Sequence, residues 1–305
     1  MIQRKKEHWF KMLFVWHGSV LPQLVPRLLL LLLVSVLIVF VNGTLYHYKI
    51  PLSPAPFTIF GIALALFLGF RNNASYDRFW EGRKLWGALL NDTRSLARQA
   101  LTLTGYDPKG KEVAEFVDML IAFTYCLKHQ LRKTDPSPDI QQRLPAELAG
   151  MLENARFKPV ILMREMGIWV KEARKNGLIE PICQVAIDEN LNKLSDIVGG
   201  CERIASTPIP YTYQVLLHRT VYLYCFLLPF GLVDSLGWIT PLITVFIAYT
   251  FVAFEAIADE LEDPFGTEPN DLPLNAMSRM IETTLLETAG KPVPDTALPD
   301  GYMLD

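Results

Sequence analysis

Five histidines, His8, His17, His47, His129 and His218, and four cysteines, Cys126, Cys183, Cys201 and Cys225, are the residues best able to ligate a metal or attack a substrate. Their spacing supports neither role. No HExxH sets two histidines on one helical face, and no GxSxG elbow or GxxxxGK[ST] phosphate loop occurs. The cysteines are scattered, without the CxxC that thiolate metal sites and redox centres need, so buried thiols in a reducing compartment are expected. One cluster remains. Asp259, Glu260, Glu262, Asp263, Glu268 and Asp271 gather oxygen ligands of the kind calcium takes around Gly266, but not at EF-hand spacing. A solvated acidic turn is the plainer account. No enzyme is expected.

The elements that would have to position such residues are mostly apolar. Half of the 305 residues are hydrophobic and the net charge is −3; the mean hydropathy is +0.21, high for a soluble chain of this length. No basic stripe interleaved with aromatics offers a surface to nucleic acid.

Four apolar runs stand out: Leu28 to Val41, Ala55 to Phe70, Val221 to Val233, and Leu236 to Phe254. The first covers only about 21 Å as a helix against a hydrocarbon core of about 30 Å. It must therefore extend into Val20–Arg27 or into Asn42–Tyr48, where Tyr46, His47 and Tyr48 suit an interface. A turn rich in proline (Pro51, Pro54, Pro56) precedes the second run, and little more than Asp234 and Ser235 parts the last two, which predicts an antiparallel hairpin. Basic Arg4, Lys5 and Lys6 precede a polar stretch with no cleavage site after the first run, so that run is expected to stay in the membrane. With Lys11 they outweigh Lys49 of the first outer loop, which puts both termini and the middle segment in the cytoplasm.

Between the second and third runs the pattern is helical. Phe79, Trp86, Leu89, Leu90 and Leu96 continue the second run without a breaker, so one long rod is expected; further helices fit Glu112–Lys133 and Ile182–Ala205, with a loop at Asp135-Pro-Ser-Pro138. The reading is an all-α membrane protein with four transmembrane helices. Residues 1–70 hold the N-terminal segment and the first two spans, 71–213 a cytosolic helical domain, 214–258 the last two spans, and 259–305 a cytosolic C-terminal segment and tail.

On the second run Gly61, Ala65 and Gly69 form a smooth stripe that lets a helix approach closely. Ile62, Leu66 and Phe70 form a bulky stripe about 100° away. Periodicity alone favours packing for the bulky stripe, with lipid or a pore constriction as the alternatives. Charges inside the runs are nearly absent; His218, Arg219 and Glu255 lie at their ends, which argues against a pump and leaves a passive pore, a receptor or a scaffold.

The stretch Phe67-Leu-Gly-Phe-Arg-Asn-Asn-Ala-Ser-Tyr-Asp-Arg-Phe-Trp-Glu81, continuing to Trp86-Gly87, resembles the signature of the bestrophin family. Pro208-Ile-Pro210 and Glu262-Asp-Pro-Phe-Gly266 agree in the same order and topological places, and the likeness is strongest to the bacterial branch. The resemblance implies a homopentameric channel with a helical cytosolic vestibule in a bacterial inner membrane, whose partners are its own copies, the lipid bilayer and monovalent ions. It also makes Ile62, Leu66 and Phe70 an apolar neck, which reverses the packing preference. Ile182 becomes the first candidate for a cytosolic aperture and Ile179 the second. Chloride conduction is the family role, with a monovalent-cation (sodium) channel of the same fold or a non-conducting scaffold or receptor as the alternatives. Animal members hold calcium in a clasp after the DPFG-like block. Here Thr267 takes its first acidic place while Glu268 and Asp271 keep the next two, so calcium activation is not expected.

Overall fold

The computed structural model describes residues 8–45, 48–49, 52–141 and 143–294. Arg4, Lys5, Lys6, Tyr46, His47 and Pro51, the Tyr48 side chain, and the tail past residue 294 lie outside the described residues. The helices among them are α1 (Trp9–Met12), α2 (Leu21–Phe40), α3 (Pro54–Thr102), α4 (Lys111–Arg132), α5 (Ser137–Ile140), α6 (Ala146–Glu153), α7 (Lys158–Lys175), α8 (Pro181–Ser206), α9 (Tyr211–Leu236), α10 (Thr240–Glu262) and α11 (Leu274–Thr288). The all-α reading holds but for one antiparallel pair, β1 (Thr44–Leu45) and β2 (Tyr48–Lys49), with Thr44 opposite Lys49. The chain divides into two compact units, one within Arg4–Phe79 and Pro208–Asp263, the other within Trp80–Thr207 and Pro264–Asp305.

The first unit is an apolar bundle. The first run finds its missing length on the N-terminal side: α2 begins at Leu21 with Pro22 in the first turn, where a missing N–H costs nothing, and reaches about 30 Å. It ends where Asn42 and Gly43 turn to positive φ. From Tyr211 to Glu262, 52 residues are helical and apolar enough to span, but the stretch is folded in two at Gly237. That residue takes φ +52°, ψ −127°, a conformation closed to residues with a side chain. Cross-links lie nearly equidistant from Gly237 on either side: His218 Nδ1 to Glu255 Oε1 at 2.8 Å, Tyr224 edge-on to Phe251, and Gln214 Nε2 donating to Glu262 Oε2 at 2.6 Å. The expected hairpin is thus present.

Four helices of this unit each contribute a narrow buried stripe: Leu24, Leu28 and Leu31 of α2, Leu64 and Leu68 of α3, Leu217, Val221 and Cys225 of α9, and Ala248 and Val252 of α10. Steps of three or four residues keep each stripe on one helical face. In lipid such stripes cohere by fit rather than by expulsion of water. Lys49 Nζ meets Asp234 at 2.7 Å, so the α2–α3 connection and the α9–α10 turn share one end of the bundle.

In the second unit, α4 is buried without interruption from Met119 to Lys128, the mark of a central helix. Around it pack α5, α7, α8 and α11. The α4–α11 junction is pinned by Tyr125, which donates to Glu282 Oε2 at 2.5 Å, and by Arg143, which pairs with the other oxygen of Glu282. Three helices that the sequence pattern did not single out appear in this unit, α6, α7 and α11. Of these, α7 buries Leu162, Met166, Val170 and Ala173, a helical period present in the sequence. The expected loop at 135–138 is shorter than read, because Asp135 Oδ1 accepts from the Ser137 amide and hydroxyl as α5 begins.

The long rod is α3, 49 residues without a break. Residues up to Phe79 belong to the bundle and those from Trp80 to the second unit. Trp86, Leu89 and Leu96 are all buried there. Gly200 of α8 is placed for contact with α3, since a Cβ on it would stand 2.8 Å from Leu85 Cδ2.

Candidate functional site: an outward apolar stripe on α3

Ile62, Leu66 and Phe70 fall on one line along α3 and are 61%, 58% and 63% exposed. None of them is spent on the core of its own chain. The opposite face holds Leu64 and Leu68, both buried in the bundle. The neighbouring small stripe is divided in its use. Gly61 faces Tyr224 of α9, whose hydroxyl would lie 2.9 Å from an added Cβ, whereas Gly69 has open space.

The base of the stripe is fastened by polar groups. Arg71, one residue past Phe70, is buried and pairs with Asp259 and, at 3.5 Å, with Glu262 Oε2. Glu262 also accepts from the Ile209 amide at 3.0 Å and from Gln214, and its carbonyl accepts from Arg78 Nε at 3.0 Å. Asn72 Nδ2 donates to the carbonyls of Leu68 at 2.9 Å and Phe254 at 3.0 Å, and the Tyr213 hydroxyl to that of Phe67 at 3.2 Å. So α3 is bonded to both helices of the hairpin at this level. Sequence reading passed over this clamp, although an arginine directly after one apolar run and a glutamate after another was its signal.

In the second unit the two aperture candidates separate. Ile182, in the first turn of α8, is 75% exposed and has exposed Val185 three residues on; Ile179 is 5% exposed, part of the core. Val185 had not been singled out.

The carboxylates proposed for a clasp do not converge. Asp271 is buried and its Oδ2 accepts from the Glu268 amide at 2.7 Å, while the Glu268 side chain is exposed. No group of three metal-ligating side chains forms among the described residues. With Thr267 at the first acidic place and one Asp271 oxygen already engaged, these residues do not fit a calcium clasp.

Elsewhere in the second unit, His129 bridges Thr134 Oγ1 at 2.6 Å and Asp139 Oδ2 at 2.8 Å. The hydroxyl–imidazole–carboxylate line is a local helix ending: Thr134 follows the left-handed Lys133 cap of α4, and Lys128 Nζ shares the same Asp139 oxygen at 3.0 Å. Burial outweighs the carboxylate and holds the imidazole below its ordinary pKa. Burial raises Asp139 as well, but its bonds from His129 and Lys128 win and hold it below the usual range. The thiols of Cys126 and Cys201 are pushed up to about 12 by burial, which leaves them inert. Cys183 is only half-buried, a departure from the expectation for all four.

Residues 1–287 match the family described as Bacterial/Fungal Bestrophin protein. The chain is 51% identical to the voltage-dependent anion channel-forming protein RSc3414 of Ralstonia nicotianae, over the whole of both chains. It is 45% identical to the voltage-dependent anion channel-forming protein YneE of Escherichia coli K12, over 99% of each. Among solved structures, a bacterial bestrophin homologue from Klebsiella pneumoniae superposes with a TM-score of 0.84 at 43% identity, covering 88% of this chain and 99% of that one.

Proposed function

We propose, from the premise that this chain belongs to the bacterial/fungal bestrophin family, that it is one subunit of a passive anion channel built from five copies of itself. The observation that carries the proposal is the exposed line Ile62–Leu66–Phe70 on a helix whose other face is buried and whose base is clamped. The bundle of one chain is filled by its own side chains, so an ion path needs symmetry. Cyclic assembly sets one α3 from each copy around an axis and turns the line into three stacked apolar rings. Such rings gate by excluding water and carry no sign of their own. Anion selectivity is proposed from the names of the curated relatives.

The membrane is the bacterial inner membrane. The basic residues Arg4, Lys5, Lys6 and Lys11 place the tail, the second unit and the C-terminal segment in the cytoplasm. Ile182 of each copy forms the cytosolic aperture. Native mass spectrometry tests the pentamer. Recording from purified protein in planar bilayers under asymmetric potassium chloride tests the rest. A reversal potential near that of chloride supports the reading, and one near that of the cation replaces it with the sodium-channel alternative. Silence at every holding potential makes the protein a scaffold or receptor.

A further inference from the structure

A groove of about 610 Å³ lies between α2 and α9, beginning about two turns inside the start of each helix. Two cations stand at its rim. Arg27 is held there by α9: its Nη1 donates to the Tyr222 hydroxyl at 2.8 Å, with the guanidinium 6.0 Å from that ring's centre. Arg219 is exposed and makes no hydrogen bond or ion pair with the described residues. Beyond them the wall is apolar, with Leu30 and Leu31 one turn further along α2 and Leu223 and Phe226 one to two turns further along α9.

The order is the informative part. Along the groove each helix carries its arginine on the side nearer its own start and hydrocarbon beyond, from the seventh to the eleventh residue of α2 and from the ninth to the sixteenth of α9. That sequence of surfaces matches a lipid of a single leaflet, its headgroup on the side of the helix starts, toward which long arginine side chains extend, and its chain toward the bilayer centre. The buried Glu255 carboxylate lies 2.8 Å from His218 Nδ1 and, among the described residues, forms no ion pair with Arg27 or Arg219. Two guanidinium groups free of carboxylates suit a phosphate, which accepts their paired N–H groups. Basic pockets between spanning helices on the cytoplasmic side take anionic headgroups.

We propose that this groove binds one anionic phospholipid of the cytoplasmic leaflet, its phosphate on Arg27 and Arg219 and an acyl chain along Leu30, Leu31, Leu223 and Phe226. The inference rests on the membrane placement of the bundle and not on conduction.

Native mass spectrometry of the detergent-purified full chain, titrated with phosphatidylglycerol or phosphatidylcholine, tests it. The expected result is about tenfold tighter retention of phosphatidylglycerol, the size of a charge-assisted contact, and loss of that preference in Arg27→Gln/Arg219→Gln. Leu30→Trp, which fills the apolar wall, should lower retention of both lipids with the rim intact. Equal retention of the two lipids by the natural chain overturns the proposal. So does a preference for phosphatidylglycerol that survives the double substitution. Loss of assembly in the Leu30→Trp and arginine variants with lipid retention unchanged would make the groove a contact between copies and also overturn it. Because mass is read and not current, a negative result here leaves the channel reading untouched.

Discussion

Phe70 and Arg71 are adjacent in α3 and face opposite ways, the first 63% exposed and the second 2%. The step of about 100° between neighbours on a helix makes this possible. One turn of helix thus ends an outward apolar line and begins an inward ionic clamp. The line proposed for the neck is braced at its base by Arg71 and Glu262, both buried in the bundle.

Leu66→Ala should raise conductance or open probability, since a shorter side chain widens and wets its ring. Selectivity should move little, because no charge changes. Leu66 is 58% exposed and lies outside the core of its own chain, so thermal stability should stay close to that of the natural protein. Bilayer recording alongside a thermal melt decides. An unchanged current with a stability loss of about 2–5 kcal/mol, the cost of a packed leucine, would end the pore-lining assignment.

Arg71→Met should destabilise the bundle by about 3 kcal/mol, the low end for a broken buried pair, because Ile209 N–H and Gln214 still hold Glu262. Adding Glu262→Gln should cost less than the two single changes together. Thermal melts of the three variants give the coupling, and strict additivity would show that the pair does not interact.

Ile179 and Ile182 should respond in opposite ways to truncation. Ile179→Ala removes a buried side chain and should cost about 2–5 kcal/mol. Ile182→Ala removes an exposed one and should leave the melt unchanged while altering current. A large drop in stability for Ile182→Ala, with current intact, would remove it from the aperture.

Calcium should have little effect on current. The Asp271 carboxylate is engaged with its own turn and Glu268 is exposed. Chelation during bilayer recording checks this, and currents that vanish and return with calcium at the micromolar concentrations typical of sensor sites, about 0.1–10 µM, would refute it.

Acid should loosen the second unit. His129 has its pKa held below the ordinary 6.5 by burial, so the fold favours the neutral ring. That contribution is complete above about pH 6.5 and is lost as pH falls through the lower folded value. Asp139, also depressed, adds a loss of the same sign at lower pH. The melting temperature should fall from pH 7 to pH 5, and His129→Gln should flatten that fall. An equal slope in the variant would assign the acid sensitivity elsewhere.

What the sequence determined alone was everything that depends on local composition and period. The apolar runs, 13 to 19 residues each, became the greater part of α2, the start of α3, the second half of α9 and most of α10, because in lipid a backbone without charged neighbours has no partner but itself. The unbroken pattern past Phe70 foretold one rod, and the single polar step at Asp234–Ser235 foretold the hairpin. The three-block signature gave the family and, through it, the reading of Ile62, Leu66 and Phe70 as a neck, which their spacing alone had put second to packing.

Tertiary structure decided the questions in which distant residues compete for one space. Period could not say whether Ile62, Leu66 and Phe70 or Leu64 and Leu68 face inward, since both lines are apolar; the stripes of α2, α9 and α10 settle that the second pair does. Ile179 and Ile182 are the same residue type three positions apart, and only packing buries one of them. The acidic run read as one cluster, yet the fold spends Glu262 on Arg71 and Asp271 on its own turn. A carboxylate goes to the donor that desolvation leaves it, and which donor lies near is a matter of how the helices meet.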